Sequence, residues 1–240
     1  VWAVLNRPVH GFFEKRFAML RYRNRTEAGK VLAAELSAYK DRADVIVLAL
    51  PRGGVPVAFE VAAALAAPLD VFLVRKLGTP GQSELAMGAI ASGGIRVLNS
   101  SVIEYLGIPD QVIDAVSARE QEELVRRERE YRYDLPPIDV RGRTVILIDD
   151  GLATGSTMKA AIVALRQREP ARIVVAVPVA PRSTCDELRE EVDELVCPQS
   201  PDHFDGVGRW YDDFSQTTDG QVRELLDQSR LQFAGLDCSG

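Results

Sequence analysis

The sequence predicts an α/β fold: a parallel sheet flanked by helices. Three observations predict it. First, four continuous apolar runs of strand length occur, at 45–50 (VIVLAL), 71–75 (VFLVR), 144–148 (TVILI) and 173–178. Unbroken runs suit strands buried on both faces. Second, segments with helical spacing alternate with those runs, as in βαβ units. Third, the 240 residues are 46% hydrophobic and 27% charged, which are globular proportions for one large domain or two small ones.

The elements follow in order. Thr26 reads as the N-cap of a helix to about Tyr39, with Ala28, Leu32, Leu36 and Tyr39 at helical spacing. The strand at 45–50 is broken by 51–56 (PRGGVP), and an alanine-rich helix is expected over 57–67. Residues 71–75 read as a second buried strand, followed by a Gly- and Pro-containing stretch at 77–84. Residues 87–91 and 95–98 flank Ser92-Gly93-Gly94, a hairpin signal. A long helix is expected over 109–131, with Pro109 in its first turn. Its pairs Glu122/Arg126, Glu123/Arg127, Arg126/Glu130 and Glu128/Arg132 read as support on a solvated face. The strand at 144–148 leads to a helix over 155–168 carrying Met158, Ile162 and Leu165 on one side. A strand (173–178), a helix (181–191) and a short strand (194–197) follow. Residues 200–214 are aromatic and irregular, and 221–228 form a last amphipathic helix.

Composition excludes several classes. A formal charge of −6 argues against a general nucleic-acid binder. No apolar run reaches the roughly 18 residues of a membrane span. Cys185, Cys197 and Cys238 form no C-x-x-C and suit a reducing compartment, so a cytoplasmic location is expected. His10 and His203 are the two histidines, too few for a His-rich metal site, and His203 sits in a polar, surface-like loop. Residues 1–18 read as an N-terminal extension without the order of a signal peptide. They are either an upstream addition or an arm that packs on the body.

The chemistry concentrates at 145–158 (VILIDDGLATGSTM), where a strand runs into two acids and a Gly- and hydroxyl-rich turn. Ligands of open parallel sheets bind at the carboxyl ends of strands. A helix start there offers free amides and a positive dipole end to a phosphate. Gly151 and Gly155 permit a tight turn, and Thr154, Ser156 and Thr157 add hydroxyls. Asp149 and Asp150 would accept hydrogen bonds from sugar hydroxyls. Phosphate at one end and vicinal hydroxyls at the other describe a ribose 5-phosphate. Neither G-x-x-x-x-G-K-[ST] nor a post-strand G-x-G-x-x-G is present, which disfavours a P-loop or a dinucleotide fold.

The run Asp149-Asp150-Gly151-Leu152-Ala153-Thr154-Gly155-Ser156-Thr157 resembles the phosphoribosyl pyrophosphate (PRPP) signature of type I phosphoribosyltransferases. The strand and helix order over residues 26–200 is similar to that family's core. The likeness is nearest to its poorly characterised predicted members. It implies a type I phosphoribosyltransferase-like parallel sheet with a small variable hood, filling 19–240, with 200–240 as a C-terminal hood or docking segment. It also implies that Asp149 and Asp150 contact the ribose hydroxyls and that 151–157 cradle the 5-phosphate.

The loop Arg52-Gly53-Gly54 is placed like the family's pyrophosphate loop, which often has an unusual peptide conformation. Two glycines admit close main-chain approach, and Arg52 can neutralise charge bidentately. Arg75 and Lys76 end the second core strand and are further pyrophosphate candidates; Lys76 is also a catalytic candidate, with Asp149 and Asp150. The family's mobile, water-excluding loop would fall on 77–85, but no second basic residue appears before Arg96. Trp210 and Tyr211, beside Asp205 and Asp212, are candidates for base recognition, with docking on the body as the other reading.

The resemblance implies transfer of a 5-phosphoribosyl group from PRPP to a nitrogenous base, with Mg²⁺ held mainly by ligand oxygens and water and no direct protein ligand. It also implies a homodimer and small-molecule partners only. A non-catalytic PRPP or nucleotide sensor on the same fold is the alternative.

Overall fold

The computed structural model describes residues 21–79, 82–133 and 135–237. The 1–18 extension with His10, residues 80 and 81 of the 77–84 stretch, and Cys238 lie outside the described residues.

Five parallel strands form the main sheet: β1 (Val45–Ala49), β2 (Leu69–Val71), β6 (Thr144–Ile148), β7 (Arg172–Ala176) and β8 (Glu194–Val196), in the order β2-β1-β6-β7-β8. A smaller antiparallel sheet holds β3 (Val74–Thr79), β4 (Gln82–Ala91) and β5 (Ile95–Leu98). The helices are α1 (Arg25–Glu35), α2 (Gly54–Leu65), α3 (Ser100–Leu106), α4 (Asp110–Arg132), α5 (Ser156–Arg166), α6 (Arg182–Arg189) and α7 (Asp219–Asp237).

The apolar runs are buried on both faces because successive side chains point opposite ways. Val45, Val47 and Ala49 of β1, with Ile146 and Ile148 of β6, join the core under α1, α2 and α7. Ile46, Leu48, Val145 and Leu147 join the core under α5 and α6. Each fully buried Val, Ile or Leu contributes about 1.5–3 kcal/mol. Gly29 lets α1 press on α2, since a Cβ there would lie 2.7 Å from the Val57 carbonyl oxygen.

Several expected boundaries move. Asn24, not Thr26, caps α1, its side chain accepting from the Glu27 amide. The helix expected from Val57 begins at Gly54, because Pro56 fits a first helical turn. The run 71–75 is divided between two sheets, β2 and β3. Phe72 and Leu73 are buried at the junction, so hydrophobicity gives no sign of the break. Most of the stretch 77–84 is strand rather than loop. Leu77, Gly78 and Thr79 pair with Gly88, Ala86 and Gln82 of β4, with register shifts around Gly78.

Helix α3 was not read from the sequence, although Asn99 caps it and Gly107 ends it at φ 60°. Helix α7 starts earlier than expected, at a capping box. The Thr218 hydroxyl accepts from the Gln221 amide while Gln221 Oε1 accepts from the Thr218 amide. Arg132 leaves the solvated face predicted for it. It is buried against Asp70 of β2 at 2.9 Å and also holds Glu128. No helix among the described residues is long and apolar enough to cross a membrane.

Candidate active site

The sheet order sets the place. From β1 the chain winds outward to β2, and after the small sheet it returns to β6 on the other side of β1. Chain direction therefore diverges between β1 and β6, and a crevice opens at their carboxyl ends. The two strands run in register, Ala49 opposite Ile148, so the loop after each begins at the same level.

The loop after β1 is Leu50–Gly53. Its Pro51–Arg52 peptide is cis, the unusual conformation expected there. A Cβ on Gly53 would fall 2.0 Å from Asp150 Oδ2, and one on Gly54 2.8 Å from the Ile148 carbonyl oxygen. Glycine is therefore required for this loop to touch the acid pair. Arg52 lies 3.7 Å from Asp219 at the start of α7, and Tyr131 of α4 donates to the same carboxylate.

The loop after β6 is the 149–157 run. The Asp150 amide donates to Asp149 Oδ1 at 2.8 Å. Burial, and then the neighbouring Asp150 carboxylate, push the Asp149 carboxyl well above its ordinary range. Burial also raises Asp150, but the Arg25 guanidinium beside it opposes the shift. Gly151 passes under Val207, where a Cβ would lie 2.5 Å from Cγ1. Leu152 is buried, and its amide donates to the Val179 carbonyl. Gly155, at φ 68°, turns the chain into α5. Ala153, Thr154, Ser156 and Thr157 are exposed, and the first intrahelical bond is made by the Lys159 amide to the Gly155 carbonyl. The amides before Lys159 thus lack helical partners, at the positive end of the helix. The Thr154 and Ser156 hydroxyls lie 3.0 Å apart at this open turn.

Lys76 reaches this turn from β3, donating to Ser156 Oγ at 2.8 Å. There it meets the exposed hydroxyls at the start of α5. Arg75 does not join it, because alternate strand residues point to opposite faces. Its guanidinium is held by Glu120 of α4 at 2.6 Å.

The 204–214 segment lies over the acid pair, but its two large aromatics face inward. Trp210 and Tyr211 are 3% and 2% exposed and pack with Tyr22 and Val179. Trp210 stacks on Phe204, and the Tyr211 hydroxyl donates to the Asp150 carbonyl at 2.6 Å. Neither ring offers an open face for stacking, so the docking reading describes them and the base-recognition reading does not. Asp212 donates its amide to the Tyr22 carbonyl and pairs with Arg21.

Sequence reasoning missed Arg25. It stands at the first position of α1, and its Nε donates to Asp150 Oδ2 at 2.7 Å. A cation at a helix N-terminus opposes the macrodipole, and that was the available signal. Arg25 also borders a polar cleft of about 360 Å³ with Phe59, Asp213 and Gln216. A larger cavity, about 860 Å³, lies at the amino ends of the strands, away from these groups. Among the described residues no cluster of three or more His, Cys, Asp or Glu could hold a metal ion.

Comparison with known proteins agrees with this geometry. The model of the phosphoribosyl transferase domain matches residues 19–214. A Mycobacterium tuberculosis protein, "Putative phosphoribosyl transferase Rv0571c", is 44% identical over 216 residues. The match covers 90% of this chain and 48% of that protein, so the chain spans about half the relative's length. The "Bifunctional protein PyrR" of Roseiflexus sp. is 36% identical over 131 residues, covering 50% of this chain and 62% of that one. The crystal structure of TT1426 from Thermus thermophilus superposes with a TM-score of 0.77 at 42% identity, covering 87% of this chain and 98% of that one. With a family match across most of its length and the motif at the crossover of a parallel sheet, the chain belongs to the phosphoribosyl transferase domain family.

Proposed function

We propose that the chain transfers the 5-phosphoribosyl group of PRPP to a nitrogenous base, releasing pyrophosphate. The observation that carries this is the meeting of two loops: the Arg52-Gly53-Gly54 backbone lies against the Asp149–Asp150 pair at the strand crossover. One loop suits a diphosphate, the other a ribose, and the exposed turn at Ala153–Thr157 a terminal phosphate. Held this way, PRPP has its C1–pyrophosphate bond at the junction of the two loops.

The protein's work is positioning and electrostatics. The amides and hydroxyls of residues 154–157, with Lys76, anchor the phosphate. Asp149 and Asp150 hold the ribose hydroxyls and stabilise positive charge as it develops on the sugar. Arg52 leaves Asp219 to meet the pyrophosphate. The oxygen donors of the acid pair suit a hard cation, but Asp150 is already committed to Arg25, so Mg²⁺ would be held through ligand oxygens and water. When bound it neutralises the leaving pyrophosphate. The acceptor has to find its stacking face elsewhere than on Trp210 and Tyr211.

One observation favours a second reading. With Arg75 bound to Glu120 and no second basic residue after Lys76, the pyrophosphate side is poor in cations, as a non-catalytic PRPP sensor would allow. The deciding experiment incubates the protein with PRPP, Mg²⁺ and a panel of purine and pyrimidine bases and measures pyrophosphate. Base-dependent release, lost in Asp149→Asn/Asp150→Asn, is the result expected of a transferase. Binding of PRPP without release identifies the sensor. Absence of binding overturns both.

A further inference from the structure

We propose that Arg25 is a positioning residue of this site: it holds the Asp150 carboxylate ionised, fixed in direction and neutralised toward the loop on which it lies. The inference rests on the phosphoribosyl reading above, since it assigns Asp150 to the sugar.

Three contacts fix the guanidinium. Nε donates to Asp150 Oδ2 at 2.7 Å, one terminal nitrogen donates to the Ser215 carbonyl at 2.7 Å, and the Phe214 ring centre lies 4.0 Å from Cζ. The pair is largely shielded, with side-chain exposures of 12% for Arg25 and 13% for Asp150. Water therefore screens it far less than a surface pair. Helix stability does not account for the residue, because a cation at the first helical position is opposed by the dipole. The contact instead ties α1 to the carboxyl end of β6, 125 residues away.

Asp150 needs such a partner for two reasons. It stands beside Asp149, and two adjacent buried carboxyls cannot both ionise easily. It also lies against Gly53, in the loop where a pyrophosphate would sit, and an unneutralised acid there would repel that anion. The other titratable groups around it are Asp149 on its own loop and Tyr211 from the segment packed over it, with Tyr22 beside Tyr211; Asp213 faces Arg25. Among these, Arg25 is the group that carries positive charge. With Arg25 in place the Asp150 carboxylate keeps the charge and the direction in which it accepts hydrogen bonds from sugar hydroxyls.

The test has two readouts. The first is the titration of the Asp150 carboxyl carbon by NMR in the ligand-free protein, in unaltered, Arg25→Gln and Arg25→Lys forms. Arg25→Gln is expected to raise the midpoint by about one pH unit, and Arg25→Lys to restore part of it. The second is PRPP affinity against pH by calorimetry. Arg25→Gln should weaken binding about tenfold, with the loss growing as pH falls and Asp150 protonates. A folded Arg25→Gln protein with an unchanged Asp150 midpoint overturns the proposal. So does a shifted midpoint with unchanged PRPP affinity, which would leave the pair a structural clasp. If Arg25→Gln does not fold, Arg25→Lys decides, since it keeps the charge and loses the planar contacts to Ser215 and Phe214. Failure of the unaltered protein to bind PRPP sinks the phosphoribosyl reading itself, and the ligand-free titration still shows whether Arg25 controls Asp150.

Discussion

Gly53 and Asp150 lie in contact across the crossover of the sheet, so close that a methyl group on Gly53 would fall 2.0 Å from Oδ2 of the acid. The loop after β1 and the loop after β6 therefore share one position. Neither can be altered there without moving the other.

Gly53→Ala is the direct consequence. The added carbon must displace the Asp150 carboxylate and with it the Arg25 pair. A displacement near 1 Å at a reacting site costs about 10²-fold, so PRPP affinity should fall at least about tenfold. The control is Gly93→Ala, where the surroundings are open but φ is 88°. It should cost about 1–3 kcal/mol of stability through strain and leave PRPP affinity per folded molecule unchanged. Equal effects of the two changes would remove Gly53 from the site.

Replacing both acids, Asp149→Asn with Asp150→Asn, should abolish measurable PRPP binding in a protein that still folds. Each charge-assisted hydrogen bond contributes roughly 1.5–3 kcal/mol, and two are lost. Calorimetric titration with PRPP measures it. A double variant that binds normally would show that the sugar lies elsewhere.

Asp149 also makes stability depend on pH. Its folded pKa is raised well above the ordinary 3.8. Between those two values the folded state holds a proton that the unfolded chain has released. Stability then falls as pH rises through that window, because the native state binds more protons. Melting temperature measured against pH should show this decline in the unaltered protein. Asp149→Asn should flatten that part of the curve and be the more stable form at neutral pH. A decline that persists in the variant assigns the effect to another group.

The sheet was legible in the sequence because a strand buried on both faces needs an unbroken apolar run, and 45–50, 144–148 and 173–178 have one. The same property hid the break at Phe72 and Leu73, where the chain leaves one sheet for another without a polar residue. The turn from Asp149 to Thr157 was legible because an apolar strand that runs into acids and glycines marks a strand-to-helix loop. Arg25 was not, because its partner is far away in sequence and helix periodicity says nothing about where a long side chain ends. Trp210 and Tyr211 misled for a related reason. An aromatic in an irregular segment looks the same whether it stacks on a ligand or on Phe204 and Tyr22.

The buried Arg132–Asp70 pair fastens α4 to β2, with Arg132 also donating to the Val71 carbonyl. Removing one partner of such a pair leaves the other charge buried. Arg132→Ala should therefore cost about 3–5 kcal/mol. Replacing both residues by apolar ones of similar volume should cost much less. Chemical denaturation of the three proteins measures the difference. A cost for Arg132→Ala below about 1 kcal/mol would place the pair with exposed ones.

The aromatic clasp over the acid pair separates support from recognition. Trp210 is buried on Phe204, so Trp210→Ala should cost about 3–5 kcal/mol of stability through the cavity it leaves. Its ring packs on Phe204 and with Tyr22 and Val179, so PRPP affinity per folded molecule should stay unchanged. Tyr211→Phe is a smaller change with a different signature. It keeps the ring against Tyr22 and Phe214 but removes the hydroxyl that donates to the Asp150 carbonyl. A carbonyl left without its donor costs roughly 1–3 kcal/mol, and here it belongs to the residue proposed to hold the sugar. Tyr211→Phe should therefore lower both stability and PRPP affinity, whereas Trp210→Ala lowers stability alone. Denaturation curves beside calorimetric PRPP titrations distinguish them. A Trp210→Ala protein of normal stability that loses binding of a nucleotide product would return Trp210 to the base pocket.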